Sequence, residues 1–280
     1  MLAPIALFVY SRPEHTRKTV EALLKNEYAS ETDLIVFCDA ARTPDTEASV
    51  IQVREYVKNV DGFKSLSVHY RPYNYGLAQS ITAGVANVVE QYGRVIVLED
   101  DMVTSSFFLM YMNTALDKFA EDERVISIHG YIYPVNRSLP EAFFLQGADC
   151  WGWATWRRGW SLFNPDGRQL LDELRRRKLT KSFDFNGTYN FTQMLEDQIQ
   201  GKNDSWAVRW YASAFLAGKL TLYPGRSLVH NFGNDSSGTH CVTSNVLDAE
   251  LSATPIVFDK VPVEDTPEAR IIIQDYFRAS

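Results

Sequence analysis

Arg94-Val95-Ile96-Val97-Leu98-Glu99-Asp100-Asp101 decides the fold. Its apolar run has the character of a parallel strand covered on both faces, and it stops abruptly at three carboxylates. Upstream lie three further apolar runs: Pro4 to Tyr10; Leu34 to Cys38, which ends at Asp39; and Ser65 to Tyr70. The first leads into Ser11-Arg12-Pro13-Glu14, which matches a capping box and predicts a helix through Leu24. After the turn Arg71 to Gly76, apolar residues recur from Leu77 at Ile81, Val85, Val88 and Val89, the spacing of a helix with one buried face. Strand and helix thus alternate up to the acidic triplet. The pattern predicts an α/β fold with a mixed, mainly parallel sheet flanked by helices.

Downstream, a helix is expected near Phe107 to Phe119 and a strand near Val125 to Ile132, after which the composition shifts. All six tryptophans lie between Trp151 and Trp210, four of them within Trp151 to Trp160. No Pro/Gly/Ser-rich linker separates the halves. One domain is therefore expected over 1–243, with a nucleotide-binding half at 1–101 and an acceptor-binding half at 102–243. A peripheral extension of strand or loop and a short helix is expected over 244–280.

With 280 residues, 45% of them hydrophobic, the chain can bury a sizeable core. Its formal net charge of -7 argues against nucleic acid as a partner, because affinity for phosphate backbones comes from Lys and Arg. The N-terminal apolar run is too short to span a bilayer and lacks the features of a signal peptide. Cys38, Cys150 and Cys241 cannot all pair within one chain. These features lead to the expectation of a cytoplasmic protein. The basic run Arg175-Arg176-Arg177-Lys178 reads either as a solvated helix face or as a peripheral contact with an anionic membrane.

Carboxylates at the end of a parallel strand stand where open α/β sheets bind ligands, and their oxygens suit Mg²⁺ or Mn²⁺. The bland alternative is an acidic turn. The turn at Tyr10, Ser11 and Arg12 offers backbone donors to an anion at a helix N-terminus, or is a capped helix start with no ligand. Asp39 reads equally as an acceptor for a nucleobase or ribose and as a turn aspartate. Clustered tryptophans build either a sugar platform or a core, and Asp149 just before them is placed to meet an acceptor hydroxyl. Asp204 reads as the N-cap of a helix running to Phe215, a role compatible with that of a general base. Ser227 to His240 reads as a glycine-rich functional loop in which spacing does not choose between His230 and His240 as a metal ligand.

On Leu7 to Pro13, Asn74-Tyr75-Gly76-Leu77 and Val97 to Asp101, the chain resembles inverting glycosyltransferases of the GT-A fold, the class of N-acetylglucosaminyltransferase I and its bacterial relatives. The resemblance covers roughly residues 4 to 241. It implies that Asp101 reaches a divalent metal, that Glu99 and Asp100 contact ribose or sugar, and that Gly76 belongs to the donor site with Tyr10, Ser11, Arg12 and Asp39. It further implies an acceptor loop at Trp151, Gly152 and Trp153, and a donor-closing loop around His230. Asp204 is implied as the base, although the family's aspartate directly precedes its tryptophan and Ser205 stands there in this chain. A nucleotide-sugar donor, preferably a UDP-sugar, and a glycan acceptor follow, the latter free or lipid-linked, as in bacterial surface polysaccharide or glycan synthesis. A non-catalytic carbohydrate-binding protein is the competing reading. A sugar nucleotidyltransferase would require a glycine-rich first turn, which Tyr10 to Pro13 does not supply.

Overall fold

The computed structural model describes residues 1–233, 235 and 246–279. In chain order its strands and α-helices are β1 (Ile5–Val9), α1 (Pro13–Leu24), β2 (Asp33–Cys38), α2 (Pro44–Val57), β3 (Ser65–Tyr70), α3 (Leu77–Tyr92), β4 (Arg94–Glu99), β5 (Met102–Thr104), α4 (Phe108–Lys118), β6 (Val125–His129), β7 (Ala142–Gln146), β8 (Trp153–Trp156), α5 (Arg157–Trp160), α6 (Gly167–Arg176), α7 (Thr180–Phe183), α8 (Phe191–Ile199), α9 (Trp206–Leu216), β9 (Leu220–Pro224), β10 (Val229–Asn231) and α10 (Pro267–Ala279).

Eight strands form one sheet in the order β3-β2-β1-β4-β8-β6-β9-β7. All run parallel except β8 and β7, each antiparallel to its neighbours. This is the mixed, mainly parallel α/β architecture expected from the alternating pattern. β1 and β4 are buried along nearly their whole length, which explains their continuous apolar sequences. Apolar side chains fill both faces of the sheet. Ile5, Leu7, Ile96 and Leu98 face one layer with α1 and α4, while Ala6, Phe8, Val95 and Val97 face another with α3, Trp153 and Trp210.

The parallel arrangement brings the carboxyl ends of β1, β2, β4, β6 and β9 to one edge of the sheet, where the loop before β8 also arrives. A separate two-stranded ribbon of β5 and β10 pairs Met102 with Asn231 and Val103 with His230, carrying the later loop back to the acidic triplet. In the C-terminal stretch, α10 buries Ala269, Ile273 and Phe277 against Phe185, Tyr223 and Leu145. The backbone amide of Thr266 donates to Phe144 at 2.9 Å.

Candidate functional site

The first expectation to be corrected is the capping box. α1 starts at Pro13, with Arg12 as its N-cap residue and no side-chain cap. Proline's fixed φ and missing N–H suit the first helical position, which moves the cap one residue beyond Ser11. Glu14 pairs with Arg17 at 2.6 Å instead of reaching back to the cap. The Tyr10 hydroxyl lies 3.1 Å from Thr46 Oγ1 and accepts the Arg42 amide at 3.0 Å, so it ties the end of β1 to the start of α2. Ser11 lies half-buried in the same turn.

This turn aims Arg12 at the triplet. Its Nη2 donates to Asp100 Oδ1 and, at 2.8 Å, to Asp101 Oδ2. Both aspartates are buried. Asp100 Oδ2, Asp101 Oδ1 and Arg12 Nη1 are buried without a hydrogen-bond partner among the described residues. Thr19 Oγ1 donates to the Asp100 carbonyl at 2.9 Å and accepts the Met102 amide at 3.2 Å, which locks the backbone of the turn. Burial, then the charges of Asp101 and Asp100, push the Glu99 carboxyl up to about 8 against the pull of Arg12. Burial also raises Asp100, with the Arg12 guanidinium opposing it. Burial works to lower Arg12, but the two carboxylates outweigh it and the net direction is upward.

Asp39 is engaged by the protein itself. Oδ1 accepts the amides of Ala40 at 2.9 Å and Tyr75 at 2.8 Å, and Oδ2 accepts the Gly76 amide at 2.9 Å and Asn74 Nδ2 at 3.2 Å. Four donors occupy the carboxylate, so of its two sequence readings the geometry carries the turn. Asp39 holds the Asn74 to Gly76 corner that opens α3, where Gly76 has φ +72°. Arg71 lies 4.5 Å from the Tyr75 ring centroid and 5.1 Å from that of Phe37, giving this side of the edge an aromatic wall.

Across β4 lies the loop that enters β8. His129 Nε2 accepts the Trp151 amide at 3.1 Å, and the Gly130 amide donates to the Gly152 carbonyl at 2.7 Å. Gly152 has φ +61°, and a Cβ there would stand 2.6 Å from Val229 Cγ2, so the loop requires glycine. Asp149 Oδ2 accepts the Tyr223 hydroxyl at 2.8 Å. Burial pushes this carboxyl up to about 6 against the Tyr223 hydrogen bond. Burial and then the charges of Glu99, Asp149 and Asp101 raise the Cys150 thiol well above its ordinary value, so these carboxylates share one electrostatic neighbourhood.

The tryptophans differ in burial. Trp151 is half-buried, edge-on to Tyr131 at 4.7 Å between centroids. Trp153, expected at the acceptor, is 0% exposed. Its ring packs against Trp160, Trp206 and Trp210 at 5.6, 5.6 and 5.8 Å. Its placement is corrected to the core, because β8 begins at Trp153 and turns that side chain into the layer beneath the sheet.

Asp204 does not cap α9. Ser205 does, its hydroxyl accepting the Val208 amide at 3.2 Å. The Asp204 side chain is 67% exposed, 3.4 Å from Arg209 Nη2. His230 comes back to the triplet on the β5–β10 ribbon, with its Nδ1 buried and without a partner among the described residues. The alternative His240, together with Cys241, lies outside the described residues. Gly233 was not singled out by sequence, yet a Cβ there would stand 2.1 Å from Asp101 Oδ2. The Phe232 amide donates to the Asp101 carbonyl at 3.0 Å, fastening this loop to the triplet. The three arginines of the basic run are paired: Arg175 meets Glu196, while Arg176 and Arg177 both meet Glu173. No helix among the described residues is long and apolar enough to cross a membrane.

The donor set fits a hard divalent cation. Two buried carboxylates each present an oxygen without a partner among the described residues, and such ions bind through one or two carboxylates completed by substrate phosphate oxygens and water. No group of three or more His, Cys, Asp or Glu side chains suited to a metal is assembled among the described residues.

No family model matches the chain, and no curated protein matches it. Solved structures similar to it include the mannosyltransferase PcManGT from Pyrobaculum calidifontis in complex with GDP-Man and Mn2+, 13% identical over 48% of this chain and 36% of that one, with a TM-score of 0.33. S. aureus TarS is 16% identical over 52% of this chain and 24% of its own, with a TM-score of 0.33. Its 1-349 portion is 11% identical over 81% and 60%, with a TM-score of 0.43. The chain thus spans between about a quarter and three fifths of the length of these structures. All three scores lie below 0.5, and the fold class rests on the strand order itself.

Proposed function

We propose that the chain is a metal-dependent inverting glycosyltransferase that moves a sugar from a nucleotide diphosphate sugar, preferably a UDP-sugar, to a glycan hydroxyl. One observation carries this reading: two buried aspartates, each with an oxygen unpartnered among the described residues, stand at the carboxyl end of the central parallel strand, facing the Arg12 guanidinium at the start of a helix. Two carboxylates sharing one guanidinium keep an excess negative charge that is costly to bury, and a bound cation would offset it. The sequence resemblance to GT-A enzymes supports the same reading.

In this mechanism Asp101 and His230 hold Mn²⁺ or Mg²⁺, and Glu99 and Asp100 contact ribose or sugar. Tyr10, Ser11, Arg12 and Gly76 shape the donor site, with Asp39 bracing the Gly76 corner. When bound, the cation supplies positive charge that offsets the negative charge of the departing nucleoside diphosphate. Trp151, Gly152 and Asp149 receive the acceptor. Asp204 removes the acceptor proton, the acceptor oxygen forms its bond to the anomeric carbon, and the bond to the diphosphate breaks with its electron pair on the leaving group. Configuration inverts in this single displacement. Asp149 is a second reading for the base, favoured by a carboxyl pushed up to about 6 among Tyr223, Cys150 and Glu99. The acceptor is a cell-surface or other glycan, soluble or lipid-linked at the inner face of a membrane.

Titration calorimetry with UDP, with and without Mn²⁺, tests the donor site. Metal-dependent binding that disappears in Asp101→Ala is the expected result. If neither UDP nor other nucleoside diphosphates bind in either condition, the transferase reading gives way to a non-catalytic carbohydrate-binding protein.

A further inference from the structure

We propose that Arg12 is a built-in counter-ion of the acidic pair, so that the divalent cation loads together with the nucleotide diphosphate and binds poorly without it. The inference rests on the proposed donor site and deepens it. Arg12 Nη2 bridges Asp100 Oδ1 and Asp101 Oδ2, a single positive charge shared by two carboxylates with Glu99 beside them. The Arg12 side chain is 18% exposed and those of the aspartates 5% and 9%, so bulk water screens this contact only weakly.

The contact offsets only part of the negative charge and leaves hydrogen bonds unmade. Among the described residues Asp100 Oδ2, Asp101 Oδ1 and Arg12 Nη1 lack partners, although a guanidinium and a carboxylate facing each other fork to fork would use both atoms of each. The geometry therefore suits a resting arrangement that a better set of partners replaces. A cation approaching Asp101 alone meets a guanidinium already on Oδ2, and like charges at close range in a poorly hydrated site repel strongly. A diphosphate changes that balance. Its oxygens offer the guanidinium a planar, multidentate partner for Nη1 and Nη2, releasing the aspartate oxygens to the cation. Affinity for the cation then rises with the nucleotide and, by linkage, affinity for the nucleotide rises with the cation.

A purely positioning role for Arg12 predicts the opposite response to mutation. If the guanidinium only orders the two carboxylates, removing it weakens cation binding; if it competes, removing its charge strengthens binding in the absence of nucleotide.

The test uses the full chain and Mn²⁺ as the probe, reading the electron paramagnetic resonance signal of the free aqua ion with and without UDP in wild type, Arg12→Gln and Arg12→Lys. Arg12→Gln is expected to bind Mn²⁺ alone about tenfold or more tightly than wild type, with the enhancement by UDP reduced by a similar factor. Arg12→Lys, which keeps the charge but loses the planar fork, is expected between the two. Equal or weaker binding of Mn²⁺ by a folded Arg12→Gln overturns the inference. Should that variant fail to fold, Arg12→Lys decides in the same way: tighter binding than wild type supports the competition and equal or weaker binding overturns it. Wild-type protein that binds UDP with Mn²⁺ while the variants show no gain sinks the inference alone. Wild-type protein that binds neither sinks the donor site as well.

Discussion

Replacing Asp149 with Asn should stabilise the protein at neutral pH and remove a defined part of its pH dependence. The carboxyl is raised from an ordinary 3.8 to about 6 by burial, with the Tyr223 hydroxyl opposing. A raised carboxyl means that the folded state holds its proton more tightly than the unfolded chain. Its contribution is therefore fully present below about pH 4 and is lost as pH rises through 6. Two pH units at about 1.4 kcal/mol each set a ceiling of about 3 kcal/mol, and screening at this half-buried position brings the expected cost of the charge to about 1–2 kcal/mol. Asparagine keeps an oxygen for the Tyr223 hydroxyl and carries no charge. The variant should match wild type near pH 4 and exceed it by about 1–2 kcal/mol at pH 7, roughly 2–6 °C in Tm. Urea unfolding of both proteins from pH 4 to 8 reads this as a difference curve, in which the other titrating groups largely cancel. A flat curve, or a wild type more stable than the variant at pH 7, refutes the argument that burial governs this carboxyl. Activity separates the two candidate bases: the true base should lose about 10²–10⁴-fold in kcat as its amide, and the other should not.

Gly233→Ala places a methyl 2.1 Å from Asp101 Oδ2 in a loop already fastened by the Phe232 amide, so Asp101 must move. Calorimetry should show metal-dependent UDP affinity falling about tenfold, while thermal melting reports a cost of about 1–3 kcal/mol from overpacking. The two tryptophans of the loop before β8 should behave oppositely. Trp153→Ala empties a fully buried site and should cost about 3–5 kcal/mol in chemical unfolding. Trp151→Ala should leave the fold largely intact and raise the acceptor KM with little change in kcat, and the reverse pattern would return Trp153 to the acceptor site.

The parallel half of the sheet was legible because both faces of β1 and β4 are covered, which turns each strand into an unbroken apolar word. α2 was harder to read: only Val50, Val53 and Val57 are buried along it, too thin a stripe for periodicity, although Thr43-Pro44 does mark its start with a cap followed by a proline at the first helical position. β7 is a five-residue strand at the sheet edge, held by long-range pairing with β9 that local sequence does not encode.

The chemistry of the site was legible where one element carries it and opaque where two must meet. Glu99, Asp100 and Asp101 could be placed from sequence because strand end and carboxylates are contiguous. That Arg12 lies between two of those carboxylates depends on β1 pairing with β4 through Phe8 and Glu99, a contact spanning most of the first hundred residues. Asp149 depends likewise on Tyr223 from β9, and Trp151 on His129 from β6. Trp151 and Trp153 have the same chemistry and stand two residues apart, yet one lies at the rim and the other in the core, because the strand starts between them. Side-chain type therefore sets what each residue can bind, while strand register decides whether it is presented to a ligand or spent on packing.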